Sequence, residues 1–203
     1  MICFPNAKVN MGLSVLDKRP DGFHNLSTCI IPIPIYDILE VTLSETFRFV
    51  NYGLKVPGIN IINKTWKYLT GVFDKIAPVS ICLYKNIPMG AGLGGGSSDA
   101  TFFLKMINDI CKLSLSHIEL MEIANLIGSD CPFFIENSPK YITGIGEKMR
   151  NINLDLSSYK LKFIYPELHI STAEAYGDII PSQPKTNLLD LINQPIENWK
   201  KLV

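Results

Sequence analysis

Pro88-Met89-Gly90-Ala91-Gly92-Leu93-Gly94-Gly95-Gly96-Ser97-Ser98-Asp99-Ala100 is the stretch that decides how the rest of the chain is read. Five of its thirteen residues are glycine, and it joins a β-rich run, Val79–Tyr84, to a segment with helical periodicity. Glycines let successive backbone N–H groups turn toward one anion, and the free amides at the start of the following helix favour phosphate. A polyphosphate is the expected ligand, with Ser97 or Ser98 expected as the helix cap. A Walker loop is excluded because no Lys follows the glycines. Gly90-x-Gly92-x-x-Gly95 matches a dinucleotide-binding pattern, but no parallel βαβ unit is expected around it.

Downstream, Ala100, Phe103, Leu104, Ile107 and Cys111 recur at helical spacing. Ser116-His117-Ile118-Glu119 reads as a capping box opening the next helix, which runs to Gly128. Leu161–Tyr165 reads as a strand ended by Pro166, and Ser171-Thr172-Ala173-Glu174 as the start of a helix stopped by Pro181. Upstream, Val9, Met11, Leu13 and Val15 alternate with Lys8, Asn10, Gly12 and Ser14, the pattern of a strand with one polar face. Arg19-Pro20-Asp21-Gly22 follows as a tight turn and predicts a returning strand over Leu26–Ile33. Tyr36–Leu43 is a further strand, and Asn60–Val72 a helix. Strands and helices do not alternate strictly, so the expected class is α+β.

The chain has 203 residues, 47% hydrophobic and 19% charged, a composition that excludes disorder. Nineteen Lys plus Arg balance nineteen Asp plus Glu, and the basic residues are scattered, with Lys18–Arg19 and Lys200–Lys201 adjacent, so no footprint for nucleic acid or an anionic membrane is visible. Five widely spaced cysteines, Cys3, Cys29, Cys82, Cys111 and Cys131, form no C-x-x-C and point to a reducing compartment. No signal sequence and no long apolar run is present, which gives a cytoplasmic expectation.

Pro88–Thr101 resembles the phosphate-binding motif of the GHMP kinases, the superfamily of galactokinase, homoserine kinase, mevalonate kinase and phosphomevalonate kinase. Its P-M-G-x-G-L-G-G-G-S-S form is similar to that of the 4-diphosphocytidyl-2-C-methyl-D-erythritol kinase family. Pro5-Asn6-Ala7-Lys8-Val9-Asn10, Asp21-Gly22-Phe23-His24, Gly128-Ser129-Asp130-Cys131-Pro132-Phe133-Phe134 and Gly144-Ile145-Gly146-Glu147 agree in order. The resemblance implies a two-lobed GHMP-kinase fold, with an N-terminal lobe like domain 2 of ribosomal protein S5. It divides the chain into an ATP-binding domain over 1–150 and the start of a C-terminal domain over 151–203.

The same resemblance implies an ATP-dependent kinase acting, with Mg²⁺ accompanying the ATP, on a cytidine diphosphate-linked methylerythritol. Asp130 then receives the proton of the attacking hydroxyl. By local sequence alone, a carboxylate two residues before Pro132 reads as a helix cap rather than a base, although the two roles are compatible. Lys8 is implied as the second catalytic residue, offsetting charge on the transferred group, although a lone Lys is ordinarily a solvated charge. The backbone from Pro88 through Met89, Gly90, Ala91, Gly92, Leu93, Gly94, Gly95 and Gly96 would wrap the phosphates. Ser97 or Ser98 would bond phosphate directly or through Mg²⁺, and Asn60 and Lys85 would line the adenosine pocket.

At the acceptor end the resemblance implies Asn10 at the polyol, His24 and Phe23 at the cytosine, Tyr176 stacked on that base and Thr172 hydrogen-bonded beside it. Metal ligands are unassigned, and the protein is expected to be a monomer or weak homodimer. Asp99 is expected to turn away from phosphate. Relatives carry a third glycine-rich motif in a C-terminal domain extending past the equivalent of Val203, so the second lobe is expected to be incomplete and Leu161–Ile164 poorly covered. Two rival readings stand beside this one: an inactive nucleotide-binding fragment, and a sister kinase of mevalonate or homoserine type. The Phe23–His24 pair separates the cytidine reading from the latter.

Overall fold

In the computed structural model, residues 1–165, 179–184 and 186–202 are described. The chain is α+β, as expected, with eight strands and six helices among those residues. In chain order they are β1 (Ile2–Cys3), β2 (Asn6–Lys18), β3 (His24–Tyr36), β4 (Ile38–Leu43), β5 (Arg48–Gly53), α1 (Ile61–Val72), β6 (Val79–Lys85), α2 (Gly95–Ile110), α3 (His117–Ile127), α4 (Cys131–Glu136), β7 (Lys140–Gly144), β8 (Lys148–Asn151), α5 (Leu188–Ile192) and α6 (Ile196–Leu202). The strands form two four-stranded sheets, ordered β1-β4-β6-β5 and β2-β3-β7-β8.

Two compact units interleave along the chain. The first comprises Met1–Lys8 and Pro32–Asn137, the second Val9–Ile31 and Ser138–Val203. In the first unit, β6 alternates Val79, Ile81, Leu83 and Lys85 inward with Ser80, Cys82 and Tyr84 outward. Against the inward row pack Ile62 and Leu69 of α1 and Ala100, Phe103, Leu104 and Ile107 of α2, the α2 positions being those that the helical spacing picks out. The capping box at Ser116 is complete, with Ser116 accepting from the Glu119 amide and Glu119 accepting from the Ser116 amide.

Three local expectations are corrected. β5 pairs in parallel with β6 across α1, so a parallel βαβ unit does precede the glycine loop. The loop follows its second strand rather than its first, and the dinucleotide pattern still lacks its normal setting. The cap of α2 is Gly94, in the left-handed region at φ +66°. Ser97 and Ser98 lie inside the helix, because a glycine can reverse the chain one turn earlier than a serine cap would. Leu161–Tyr165 forms no strand: Leu161 and Ile164 are 53% and 74% exposed, in line with the poor cover expected there, and a strand needs a neighbour to pair with.

In the second unit the Arg19–Gly22 turn closes as the sequence indicates. The Gly22 amide donates to the Arg19 carbonyl at 3.1 Å, and Gly22 takes φ +87°. β7 and β8 form an antiparallel hairpin, and the Gly144–Glu147 motif is its turn, with Glu147 accepting from the Ile145 amide at 2.7 Å. The helix expected from Ser171, with Thr172 and Tyr176, lies outside the described residues.

Candidate active site

The glycine loop leaves β6 and enters α2 by way of three alternating glycines in the left-handed region, Gly90, Gly92 and Gly94, with φ of +71°, +71° and +66°. Side chains rarely adopt that conformation, so the loop's path depends on these positions being glycine. The loop borders a cleft of about 300 Å³, lined also by Val56, Pro57, Ile59 and Asn60. Gly95, Gly96 and Ser97, which line it too, begin a helix of sixteen residues, and amides in a first turn have no acceptor within their helix.

Lys8 is buried, 7% exposed, rather than a solvated charge. Its amide donates to the Leu93 carbonyl at 2.9 Å, which fastens the start of β2 to the glycine loop. Its stem crosses Gly94 so closely that a Cβ there would lie 2.9 Å from Lys8 Cγ and 3.2 Å from Phe134 Cζ. Its ammonium stands 3.3 Å from a carboxylate oxygen of Asp130, whose side chain is 39% exposed. Asp130 occupies the position before α4, with Pro132 in the first turn, yet makes no capping hydrogen bond. The rival capping role is therefore not the one the side chain performs: its carboxylate is given to Lys8 and to solvent.

α4 is held so that this pairing persists. Thr101 Oγ1 donates to the Cys131 carbonyl at 3.0 Å, and the Lys105 ammonium donates to the Phe134 and Ile135 carbonyls. Burial pushes the Lys105 ammonium below the ordinary lysine range and the Cys131 thiol above the ordinary cysteine range. Asn6 and Asn137 exchange reciprocal side-chain amide bonds at 3.2 and 2.7 Å, tying the strand that carries Lys8 to the end of the helix that Asp130 opens.

Asn60 caps α1, accepting from the Ile62 amide at 2.8 Å, and borders the cleft. Ser97 lines the cleft, whereas Ser98 does not, being fully buried. Lys85 reaches the cleft wall, but its ammonium turns inward to Asp37 and, at 2.7 Å, to Asp99. Asp99, beyond the first turn of α2, borders the cleft as well, with one carboxylate oxygen committed to Lys85. Asp37, fully buried, is a site residue that the sequence reading passed over. A lone carboxylate after the apolar run Ile30 to Tyr36 was the available signal.

In the second unit, Asn10 donates to Thr28 Oγ1 at 3.1 Å and Thr28 in turn donates to the Gly12 carbonyl at 2.6 Å. Phe23 is 59% exposed, its amide held by Asp21 at 3.1 Å, and His24 opens β3. Thr172 and Tyr176 lie outside the described residues. Among the described residues no helix is long and apolar enough to cross a membrane, and no group of three or more His, Cys, Asp or Glu is arranged to hold a metal ion.

Residues 60–137 match the family "GHMP kinases N terminal domain". The 4-diphosphocytidyl-2-C-methyl-D-erythritol kinase of Parabacteroides distasonis is 45% identical over 203 residues, covering 99% of this chain and 75% of that protein. A crystal structure of 4-(cytidine 5'-diphospho)-2C-methyl-D-erythritol kinase superposes with a TM-score of 0.76 at 28% identity, over 95% of this chain and 71% of the other. A crystal structure of mevalonate kinase, 14% identical with a TM-score of 0.53 over 75% of this chain and 56% of its own, shares the fold.

Proposed function

The chain belongs to the 4-diphosphocytidyl-2-C-methyl-D-erythritol kinase family, and we propose that it transfers the γ-phosphoryl group of ATP to the 2-hydroxyl of 4-diphosphocytidyl-2-C-methyl-D-erythritol, in the non-mevalonate route to isoprenoid precursors. The observation that carries this reading is the Lys8–Asp130 pair, 3.3 Å apart, with the Lys8 stem lying against Gly94 of the glycine loop.

A polyphosphate fits the cleft on its own terms. No atom stands within 4 Å of a Cβ built on Gly92, so the backbone there is open to close approach. The Gly95, Gly96 and Ser97 amides at the cleft supply donors and the positive end of a helix dipole. Pro88 to Gly96 would hold the phosphates, Ser97 the phosphate or its Mg²⁺, and Asn60 with Val56, Pro57 and Ile59 the nucleoside. ATP supplies the transferable phosphoryl group, and Mg²⁺ the charge that offsets its oxygens.

The chain's own residues position and balance charge. The Asp130 carboxylate accepts the proton of the 2-hydroxyl as its oxygen bonds to the γ-phosphorus, while the bond to the ADP oxygen breaks. The proton passes on to solvent, which the partly exposed carboxylate can reach. Lys8 holds Asp130 by its charge, and the same charge offsets negative charge gathering on the transferred group. A loose transition state asks more of positioning than of base strength, which suits a carboxylate already paired with an ammonium.

At the acceptor end, His24 and Phe23 would read and shape the pocket for cytosine, Tyr176 and Thr172 would complete it, and Asn10 would contact the polyol. The division into an ATP-binding domain over 1–150 and the start of a second over 151–203 belongs to the same proposal, as do a cytoplasmic location and a monomer or weak homodimer.

The experiment is ADP release by the purified chain with ATP and each candidate acceptor. ADP formed with the cytidine-linked methylerythritol and not with mevalonate or homoserine supports the proposal. ADP formed with mevalonate or homoserine in its place defeats it.

A further inference from the structure

β6 ends its inward-facing row, Val79, Ile81 and Leu83, with a lysine. An ammonium at the edge of an apolar core must be paired, and Lys85, 2% exposed, meets two carboxylates, those of Asp37, 0% exposed, and Asp99, 1% exposed. What these carboxylates touch besides Lys85 gives the cluster its meaning. Asp37 Oδ1 accepts from the amides of Asn86 at 2.6 Å and Ile87 at 2.8 Å, the first two residues of the glycine loop's approach. Asp99 stands on the second turn of α2, just past the loop's exit. The Lys85 ammonium is also 3.0 Å from where a Cβ on Gly95 would stand, directly beneath the first amides of the helix.

We infer that Asp37 and Lys85 are positioning residues for the phosphate loop: through one buried ion cluster they tie its entry, at Asn86 and Ile87, to its exit on α2. The inference rests on the ATP reading of the cleft and goes beyond it by giving Lys85 a structural task under the loop in place of contact with the nucleoside. Gly90, Gly92 and Gly94 leave the loop between its two ends with little stiffness of its own, so its path is set by where those ends are held. The two members of the pair differ from Asp99 in what they fasten. Asp37 holds loop amides and Lys85 together, whereas Asp99 accepts from Lys85 through one oxygen and has its other oxygen buried without a hydrogen-bond partner. Burial above all, with Lys85 offsetting it in part, pushes the Asp99 carboxyl well above the ordinary carboxylate range, consistent with Asp37 being the counter-charge of Lys85.

The test compares wild type, Asp37→Asn and the double variant Asp37→Leu/Lys85→Met. Asp37→Asn keeps an oxygen for the two loop amides and loses the charge. The double variant removes both partners and leaves Asp99, a carboxyl that burial already pushes toward its neutral form. ATP affinity is measured by calorimetry, affinity for the cytidine-linked acceptor separately, and amide hydrogen exchange over residues 86–97 against α3.

The expected result is graded. ATP binding weakens about threefold in Asp37→Asn and about tenfold or more in the double variant, while acceptor affinity stays within about twofold. Exchange over 86–97 accelerates in both variants and that of α3 does not. A folded double variant binding ATP within twofold of wild type overturns the inference, and so does an equal loss of acceptor affinity. If the double variant does not fold, unchanged exchange over 86–97 in Asp37→Asn overturns it. Failure of wild type to bind ATP defeats the ATP reading itself, and this inference with it.

Discussion

Lys8 shows how a residue's surroundings can reverse the ordinary meaning of its type. A lysine eight residues into a chain is normally solvated, but here its amide is bonded to Leu93, its stem lies against Gly94 and its charge faces Asp130. Replacing it by methionine keeps the stem and deletes the charge. Lys8→Met is expected to lower kcat by about 10²–10³, the cost of losing one group aimed at developing charge, with the KM for ATP within a few-fold. Steady-state kinetics at saturating acceptor checks this split. Little of it was readable locally. The alternation over Lys8 to Val15 assigns the strand, but the burial of Lys8 is created by residues some 85 and 120 positions away in sequence, which no periodicity can report. For Asp130 the local signal pointed to a cap, and only the side chain's actual partner decides between the two roles.

At the scale of elements, the readable features were those fixed by neighbours in sequence. The Arg19–Gly22 turn and the Ser116 capping box depend on contacts within a few residues, and both form as their residues indicate. The entry to α2 is not legible in the same way, because glycine at a cap has no side-chain signature and the serines after Gly94 mimic a start. β5, and with it the parallel unit around α1, was passed over since Arg48–Gly53 is short and lies at the edge of its sheet. Leu161–Tyr165 has the composition of a strand, but composition supplies no pairing partner. The role of Gly94 as cap, left-handed hinge and bed for the Lys8 stem gives a direct test. Gly94→Ala must strain the backbone, at about 1–2 kcal/mol, and must also displace Lys8. Its melting temperature is expected to fall and its kcat to fall further than that loss of stability explains. A variant with lowered stability and unchanged kcat would separate the loop from the Lys8–Asp130 pair.

Across the whole molecule, buried charge links the cleft beside the glycine loop to stability. Asp99 faces Lys85 from β6, Asp37 from the junction of β3 and β4, and Cys3 from β1. Its carboxyl is held above the unfolded value of 3.8, so the folded chain binds that proton more tightly than the unfolded chain. Stability from this source is full below the unfolded value and is lost as pH rises through the folded one. Asp99→Asn is therefore expected to flatten the decline of the unfolding midpoint above the ordinary carboxylate range, checked by denaturant titration across that interval. An unaltered slope would assign the decline to other groups.

The chain spans about three quarters of the Parabacteroides relative it matches, and the proposed transfer requires that its Lys8, Asp130 and glycine loop suffice to place a phosphoryl donor against a hydroxyl. A single-turnover measurement tests that most directly, with ATP labelled at the γ-phosphate, the cytidine-linked acceptor, and wild type beside Asp130→Asn. The account predicts acceptor-dependent transfer of label by wild type, and a rate about 10²–10⁴ lower in Asp130→Asn with ATP still bound. Transfer by Asp130→Asn at the wild-type rate would contradict it.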